Sequence, residues 1–217
     1  GVRADGTGDS TAGIQAAIVD AYDNGLAVLF PAGEYTISDT LKCYEWNFWD
    51  EGRGRAKNPE PRNHILIGSA LGERRPLIKL APNAPRFGDP DRPRPLIACR
   101  VFSAINPNGL KAIEPDEPIL GVPPNFMDQP NILFDSELRG LDFDCGGNAG
   151  AVGVVMRGAQ DSSIEDVKVV ATGAFAGIKG ISGRNGGAFN IEVEGGRYGL
   201  DLSDGGLAGP IVAGARL

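Results

Sequence analysis

One hydrophobic pattern recurs along the last third of the chain. The order apolar-x-x-apolar-x-apolar fits Leu138/Leu141/Phe143, then Ile164/Val167/Val169, Ala188/Ile191/Val193 and Val212/Ala215/Leu217. These matches start 26, 24 and 24 residues apart. A second series interleaves with the first: Gly153-Val-Val-Met156, Gly177-Ile-Lys-Gly180 and Gly199-Leu-Asp-Leu202, at spacings of 24 and 22. Two strand series sharing one period of that size mean stacked units. Each unit has room for short strands and glycine turns, and none for a helix. The architecture that fits is all-β, a parallel β-helix in which each coil lies on the one before.

The polar positions agree with this register. Alternate residues of a strand face opposite sides, so the residue between the second and third apolar positions points outward. In the four matches it is Asp142, Lys168, Glu192 and Arg216. Stacked about 4.8 Å apart, they make a ladder of alternating charge, in which opposite neighbours help by roughly 0.2–1 kcal/mol each. The second series places Val155, Lys179 and Asp201 in the same way, again without like-charge neighbours.

The start of the chain has a different period. Ile14, Ala17, Ile18 and Ala21 recur at i, i+3, i+4 and i+7, one stripe of a helix. Asp9, Ser10 and Thr11 supply N-cap oxygens, and Asn24-Gly25 supplies a left-handed stop. A helix over about 12–23 is expected, placed to cap the open end of the first coil, where apolar interior and strand edges would otherwise be exposed. Two short strands, residues 27–30 and 34–38, follow around Pro31-Ala-Gly33. Residues 42–63 and 103–130 read as insertions, and 138–217 as regular coils. Solenoids need both ends capped, and Leu217 falls inside a predicted strand. The expectation is therefore the N-terminal part of a β-helix domain from a longer polypeptide.

Composition narrows the partners. The 32 glycines and 16 prolines among 217 residues suit a chain of many turns. The net charge of −7, with no basic cluster, argues against nucleic acid as the main partner. No run of about 18 apolar residues exists to cross a membrane as a helix. Cys43, Cys99 and Cys145 include no CxxC pair, and are read as buried thiols, with one disulfide among them left open. His64 is the single histidine, so no multi-histidine metal site forms within the chain, and nothing near it in sequence looks like a catalytic partner.

The runs DGTGDSTAGIQAAI and VLFPAGEYTIS resemble the start of the pectate-lyase-like superfamily of right-handed parallel β-helices. That group includes polysaccharide lyases, glycoside hydrolases, alginate epimerases and phage tailspikes. A narrower likeness lies in NAGAVGVVMRGAQDSSIEDVKVV and GGAFNIEVEGGRYGLDL, which look like the first β-helix of glycoside hydrolase family 55 and its bacterial relatives. The resemblance implies a right-handed β-helix, cleavage of β-1,3-glucans, and a second β-helix beside the first. It carries over no catalytic residue. The acid pairs and glycine-histidine motif of polygalacturonases are absent, as is the Asp-Pro-His motif of the alginate epimerases.

Three stretches could carry chemistry. Asp142 and Asp144 in LDFDCGG face outward from one strand with Cα atoms about 6.6 Å apart, a spacing compatible with paired carboxylates in glycoside hydrolysis. The competing reading is structural: Asp142 lies opposite Lys168, and Asp144 precedes a Gly-Gly turn. Trp46, Trp49 and Arg53 in CYEWNFWDEGRGR could stack on and grip sugars, or pack an insertion onto the β-helix. Asp89 and Asp91 lack the further oxygens that calcium needs. Arg74-Arg75 reads as a solvated tip.

The combined reading is the N-terminal portion of a secreted, extracellular carbohydrate-active enzyme. Its partners are a polysaccharide and the remaining coils or second β-helix of its own polypeptide. Glycoside hydrolysis comes first, with acids supplied mostly from outside this segment and no cofactor or metal. A uronate lyase or epimerase is the alternative, with calcium possible for a lyase. A non-catalytic tailspike-like or adhesive β-helix is the third reading, against which the charged outward ladder leans.

Overall fold

The computed structural model describes residues 1–50, 55–57, 63–71, 74–104, 126–128, 132–203 and 209–217; for 46–50, 55–57, 103–104 and 126–128 it describes the backbone alone. The chain opens with α1 (Thr11–Asn24) and then winds through coils. The first contains β1 (Val28–Phe30), β2 (Glu34–Ile37) and β3 (Leu41–Asp50), followed by β4 (Arg55–Lys57). The second contains β5 (Ile65–Gly68), β6 (Leu77–Leu80) and β7 (Arg94–Ala104), followed by β8 (Phe126–Asp128). The third contains β9 (Glu137–Arg139), β10 (Asp142–Asp144) and β11 (Ala151–Met156). Then come β12 (Ser163–Ala171), β13 (Ala176–Lys179), β14 (Gly187–Gly195), β15 (Tyr198–Asp201) and β16 (Ile211–Ala213).

Apart from β4 and β8, which pair antiparallel with β3 and β7, these strands form two parallel stacks, the fold of a right-handed parallel β-helix. Sheet A has two rows, β1-β5-β9 and β2-β6-β10, which the longer β12 and β14 join. Sheet B stacks β3, β7, β11, β13 and β15 in chain order. The pairing is in the register expected: Asp142 opposite Lys168, Lys168 opposite Glu192, Glu192 bridged to Arg216, and Val155 opposite Lys179, itself opposite Asp201. Between the sheets lies one continuous core including Leu66, Leu138, Ile164 and Ala188, and Leu141, Val167 and Ile191.

A turn residue explains the two-residue gap in the hydrophobic pattern. Gly140, Asp166, Asn190 and Gly214 occupy the same place in successive coils, and all have left-handed φ, of 68°, 52°, 50° and 69°. One left-handed residue bends the strand without taking the apolar positions on either side out of the interior. Only glycine and short polar side chains adopt this conformation routinely. Asn190 Nδ2 also donates to Asp166 Oδ1 at 2.6 Å, tying one coil to the next.

The helix caps the first coil. Its stripe Ile14, Ile18 and Ala21 is buried, and Ile14 and Ile18 join the core with Phe30, Tyr35 and Leu41. Gly25 closes it with φ 64°. The N-cap position is Ser10, which makes no side-chain cap bond; Asp9 Oδ1 accepts from the Thr11 N–H at 2.9 Å instead. Gln15 then acts as a substitute strand at the edge of β3. Its Nε2 donates to the Lys42 carbonyl at 2.9 Å, and its Oε1 accepts from the Lys42 N–H at 2.7 Å.

The stretch read as an insertion from residue 42 begins inside the regular fold. Leu41–Phe48 pairs in parallel with Ile97–Ala104, and β3 then forms an antiparallel hairpin with β4. Cys43, Cys99 and Cys145 are buried free thiols. Among the described residues, no helix is long and apolar enough to cross a membrane.

Candidate groove on the outer face of sheet A

A concave surface follows the second row of sheet A along the axis of the coils. A depression of about 530 Å³ is lined by Asp5, Glu34, Arg74, Arg75, Asp142 and Lys168 among others. It continues into one of about 380 Å³ that shares Arg75, Asp142 and Lys168 and extends over Asp166, Asn190, Glu192 and Arg216. The strand period creates this surface. Glu34, Leu77, Asp142, Lys168, Glu192 and Arg216 are successive partners in one outward column.

The ion pairs differ from a simple ladder. Lys168 Nζ lies 3.0 Å from Glu192 and 2.5 Å from Glu194, and Arg216 reaches Glu192 at 3.3 Å. Asp142 is bound instead by Arg75 Nε at 2.9 Å, and accepts from the Lys168 backbone N–H at 3.3 Å. The reading of Arg75 as a solvated tip is thus corrected. Its guanidinium also donates to the Asp166 carbonyl. An aliphatic stem long enough to lie along the sheet lets an arginine from a turn reach a strand face.

These contacts set the charge states. Partial burial raises the pKa of Asp142, and the Arg75 charge and the Lys168 N–H pull it back. Glu192 is lowered, mainly by its hydrogen bond to Lys168, and Lys168 is raised, mainly by Glu194 and then Glu192. Asp142 and Glu192, two rungs apart in the column, are therefore carboxyl groups whose environments push in opposite directions. Asp144 shares the face of Asp142, but its Oδ1 accepts from the Gly146 N–H at 2.8 Å, so the carboxylate closes its own turn.

The other candidates lie elsewhere. Trp46 is a strand residue of β3 opposite Phe102, and Trp49 lies opposite Ala56 in the hairpin; their side chains, and all of Arg53, lie outside the described residues. His64 is buried and stacked on Tyr22 at 4.6 Å between ring centroids. Asp89 Oδ1 accepts from the Asp91 N–H at 2.9 Å in a local turn. Among the described residues, no group of three or more His, Cys, Asp or Glu is arranged to hold a metal ion. Sequence reasoning missed Arg75, Asp166 and Asn190. The signal for the last two was present, since Gly, Asp, Asn and Gly occupy one repeat position.

A helix-capped stack of parallel coils is the pectate-lyase-like β-helix, a carbohydrate-active fold. The chain belongs to one family of that class: residues 1–208 match the family described as rhamnogalacturonase A/epimerase, pectate lyase-like. No curated protein matches the sequence. Among solved structures it is similar to the ORF18 protein of Geobacillus virus E2, at 14% identity and a TM-score of 0.46, over 94% of this chain and 38% of that one. It is also similar to the A-module of the mannuronan C-5 epimerase AlgE4 of Azotobacter vinelandii, at 17% identity and a TM-score of 0.37, over 92% of this chain and 57% of the module. The chain thus spans well under two thirds of either relative.

Proposed function

We propose that the chain forms part of a secreted glycoside hydrolase acting on a polysaccharide such as a β-1,3-glucan, and that the polymer lies along the sheet A groove. The observation carrying this reading is the charge balance of the groove. Its lining holds Asp5, Glu34, Asp142, Asp166 and Glu192 against Arg74, Arg75, Lys168 and Arg216. Most of these charges pair across rungs. A surface so balanced offers a neutral sugar chain many hydrogen-bonding groups and gives a polyanion little net attraction.

Hydrolysis of a glycosidic bond needs one carboxyl group to protonate the leaving oxygen and a second to act as base or nucleophile. Asp142 is the groove carboxyl whose burial favours the protonated form, which suits the acid. Asp144 is engaged by its turn and Glu192 by two cations. In this reading the second carboxyl group therefore comes from outside residues 1–217. No metal or cofactor enters the reaction.

A uronate lyase or epimerase is the second reading, favoured by the family description. Assays of the whole polypeptide on laminarin, polygalacturonate and alginate separate the two. The hydrolase reading requires reducing ends from laminarin. Unsaturated uronate products absorbing in the ultraviolet, with laminarin untouched, would overturn it. With Asp142 as the acid, Asp142→Asn lowers kcat by about 100-fold or more; a change confined to KM would reduce Asp142 to a sugar contact.

A further inference from the structure

Three sulfur side chains stand in one inward column of sheet B. Cys43 in β3 lies opposite Cys99 in β7, and Cys99 lies opposite Met156 in β11. All three are fully buried in the common core. Parallel strands stack about 4.8 Å apart and hold paired side chains on the same face. The two thiols therefore meet directly, and Cys43 is hydrogen-bonded to Cys99. Met156 is a thioether and cannot join a thiol covalently. Cys145 follows β10 in sheet A, in the other stack. Of the three cysteines in the chain, two are thus matched across neighbouring coils and one stands apart.

The spacing decides what the pair can do. Disulfides join residues with Cα atoms roughly 4.4–6.8 Å apart, which the strand spacing meets, and with Cβ atoms roughly 3.5–4.5 Å apart. Paired Cβ atoms on parallel strands keep nearly the strand spacing of about 4.8 Å, so β3 has to move slightly towards β7. On its other edge β3 pairs with a strand, β4, only at residues 48–50. At Lys42, next to Cys43, the partner on that edge is the Gln15 side chain. A side chain follows a backbone shift more readily than a packed strand does. A bond closed across this gap carries strain, and strain makes a disulfide easier to reduce.

We propose that Cys43 and Cys99 are a reversible disulfide site that ties the first coil to the second. The oxidant is an external disulfide of low molecular weight. One protein thiol loses its proton and attacks it, which forms a mixed disulfide and releases one external thiol. The second protein thiol, deprotonated in turn, attacks the protein sulfur of the mixed disulfide and expels the other external thiol. Two protein thiols and one external disulfide thus become one protein disulfide and two external thiols. The hydrogen bond to Cys99 and burial both raise the Cys43 pKa, and reactivity follows the thiolate. Exchange therefore runs through an opened first coil or in the folding chain, not in the closed core. The chemistry does not depend on the hydrolase reading. Such bonds persist in oxidising compartments, which a secreted protein would meet.

The test exposes the reduced protein to oxidised glutathione, once folded and once during refolding from urea. Thiols are then alkylated with N-ethylmaleimide in denaturant, and the labels are counted by intact mass. The expected result is a fall from three labels to one, with Cys145 labelled and a peptide map joining Cys43 to Cys99. Dithiothreitol added without denaturant should restore all three labels. Cys145→Ser should give the same cross-link and leave no label. Three labels retained after both treatments would overturn the site. So would a cross-link to Cys145, a disulfide-joined dimer, or glutathione left on Cys43 or Cys99. A cross-link that resists dithiothreitol until urea is added would overturn its reversibility.

Discussion

Glu45 is the acid placed most unfavourably. By strand alternation it shares the inward side of β3 with Cys43, opposite Val101, and it is 2% exposed. Burial alone pushes its pKa up to about 8 from the ordinary 4.5. Buried His64 is shifted the other way, to about 4 from 6.5, again chiefly by burial. Between pH 4.5 and 6.5 the folded protein keeps a proton on Glu45 that the unfolded chain releases, and excludes one from His64 that the unfolded chain binds. The two contributions cancel there. From pH 6.5 to 8 only Glu45 remains, and stability falls as pH rises, by roughly 2 kcal/mol at about 1.4 kcal/mol per unit. Urea denaturation at pH 5, 6.5 and 8 should show a plateau and then a drop, and Glu45→Gln should remove the drop. A wild-type profile flat through pH 8.5 would refute this. The thiols make a parallel expectation. Cys145 is pushed up to about 12, mainly by burial, and the Cys43 thiol is raised by its hydrogen bond to Cys99 and by burial. Reactivity follows the thiolate, so iodoacetamide at pH 8 should label neither Cys43 nor Cys145 until denaturant is added.

At the scale of elements, the coil register was legible because burial forces it. A shift of one residue would turn Leu141, Val167 and Ile191 outward, so only one reading of the alternation is possible. The capping helix was legible for the same reason, from Ile14, Ile18 and Ala21. The groove contacts were not. Arg75 sits on a turn, and nothing in its neighbours' periodicity says that it reaches Asp142. The strand at the start of the stretch read as an insertion went unread because Lys42–Phe48 mixes charged and polar residues, Lys42, Glu45 and Asn47, among its aromatics. The second repeat series also has a physical meaning that spacing alone did not supply. Gly153 and Gly177 are where a strand lies close against core valines: an added Cβ would lie 2.4 Å from Val169 Cγ1 and 2.3 Å from Val193 Cγ1 respectively. Gly177→Ala should therefore overpack the core and cost about 1–3 kcal/mol. A double variant that also carries Val193→Ala should recover part of that loss, read as a shift in denaturation midpoint. No recovery would mean that the strain lies in the backbone and not in the valine.

For the whole molecule, a stack of coils is close to one-dimensional, and each coil is stabilised mainly by its neighbours. At the N-terminal coil, α1 covers the interior and Gln15 satisfies the Lys42 backbone. Local opening costs least where buried contacts are few. Amide hydrogen exchange should therefore be slow in β9 to β12, which have coils on both sides, and slow in β3 although it belongs to the first coil. Gln15→Ala tests the cause at the capped end. It removes two partly buried hydrogen bonds to the Lys42 N–H and carbonyl, at about 0.5–1.5 kcal/mol each. Exchange in β3 should accelerate while β13 and β14 stay unchanged. If all strands accelerated together, the chain would be unfolding as one cooperative block, and the neighbour-by-neighbour account of its stability would be wrong.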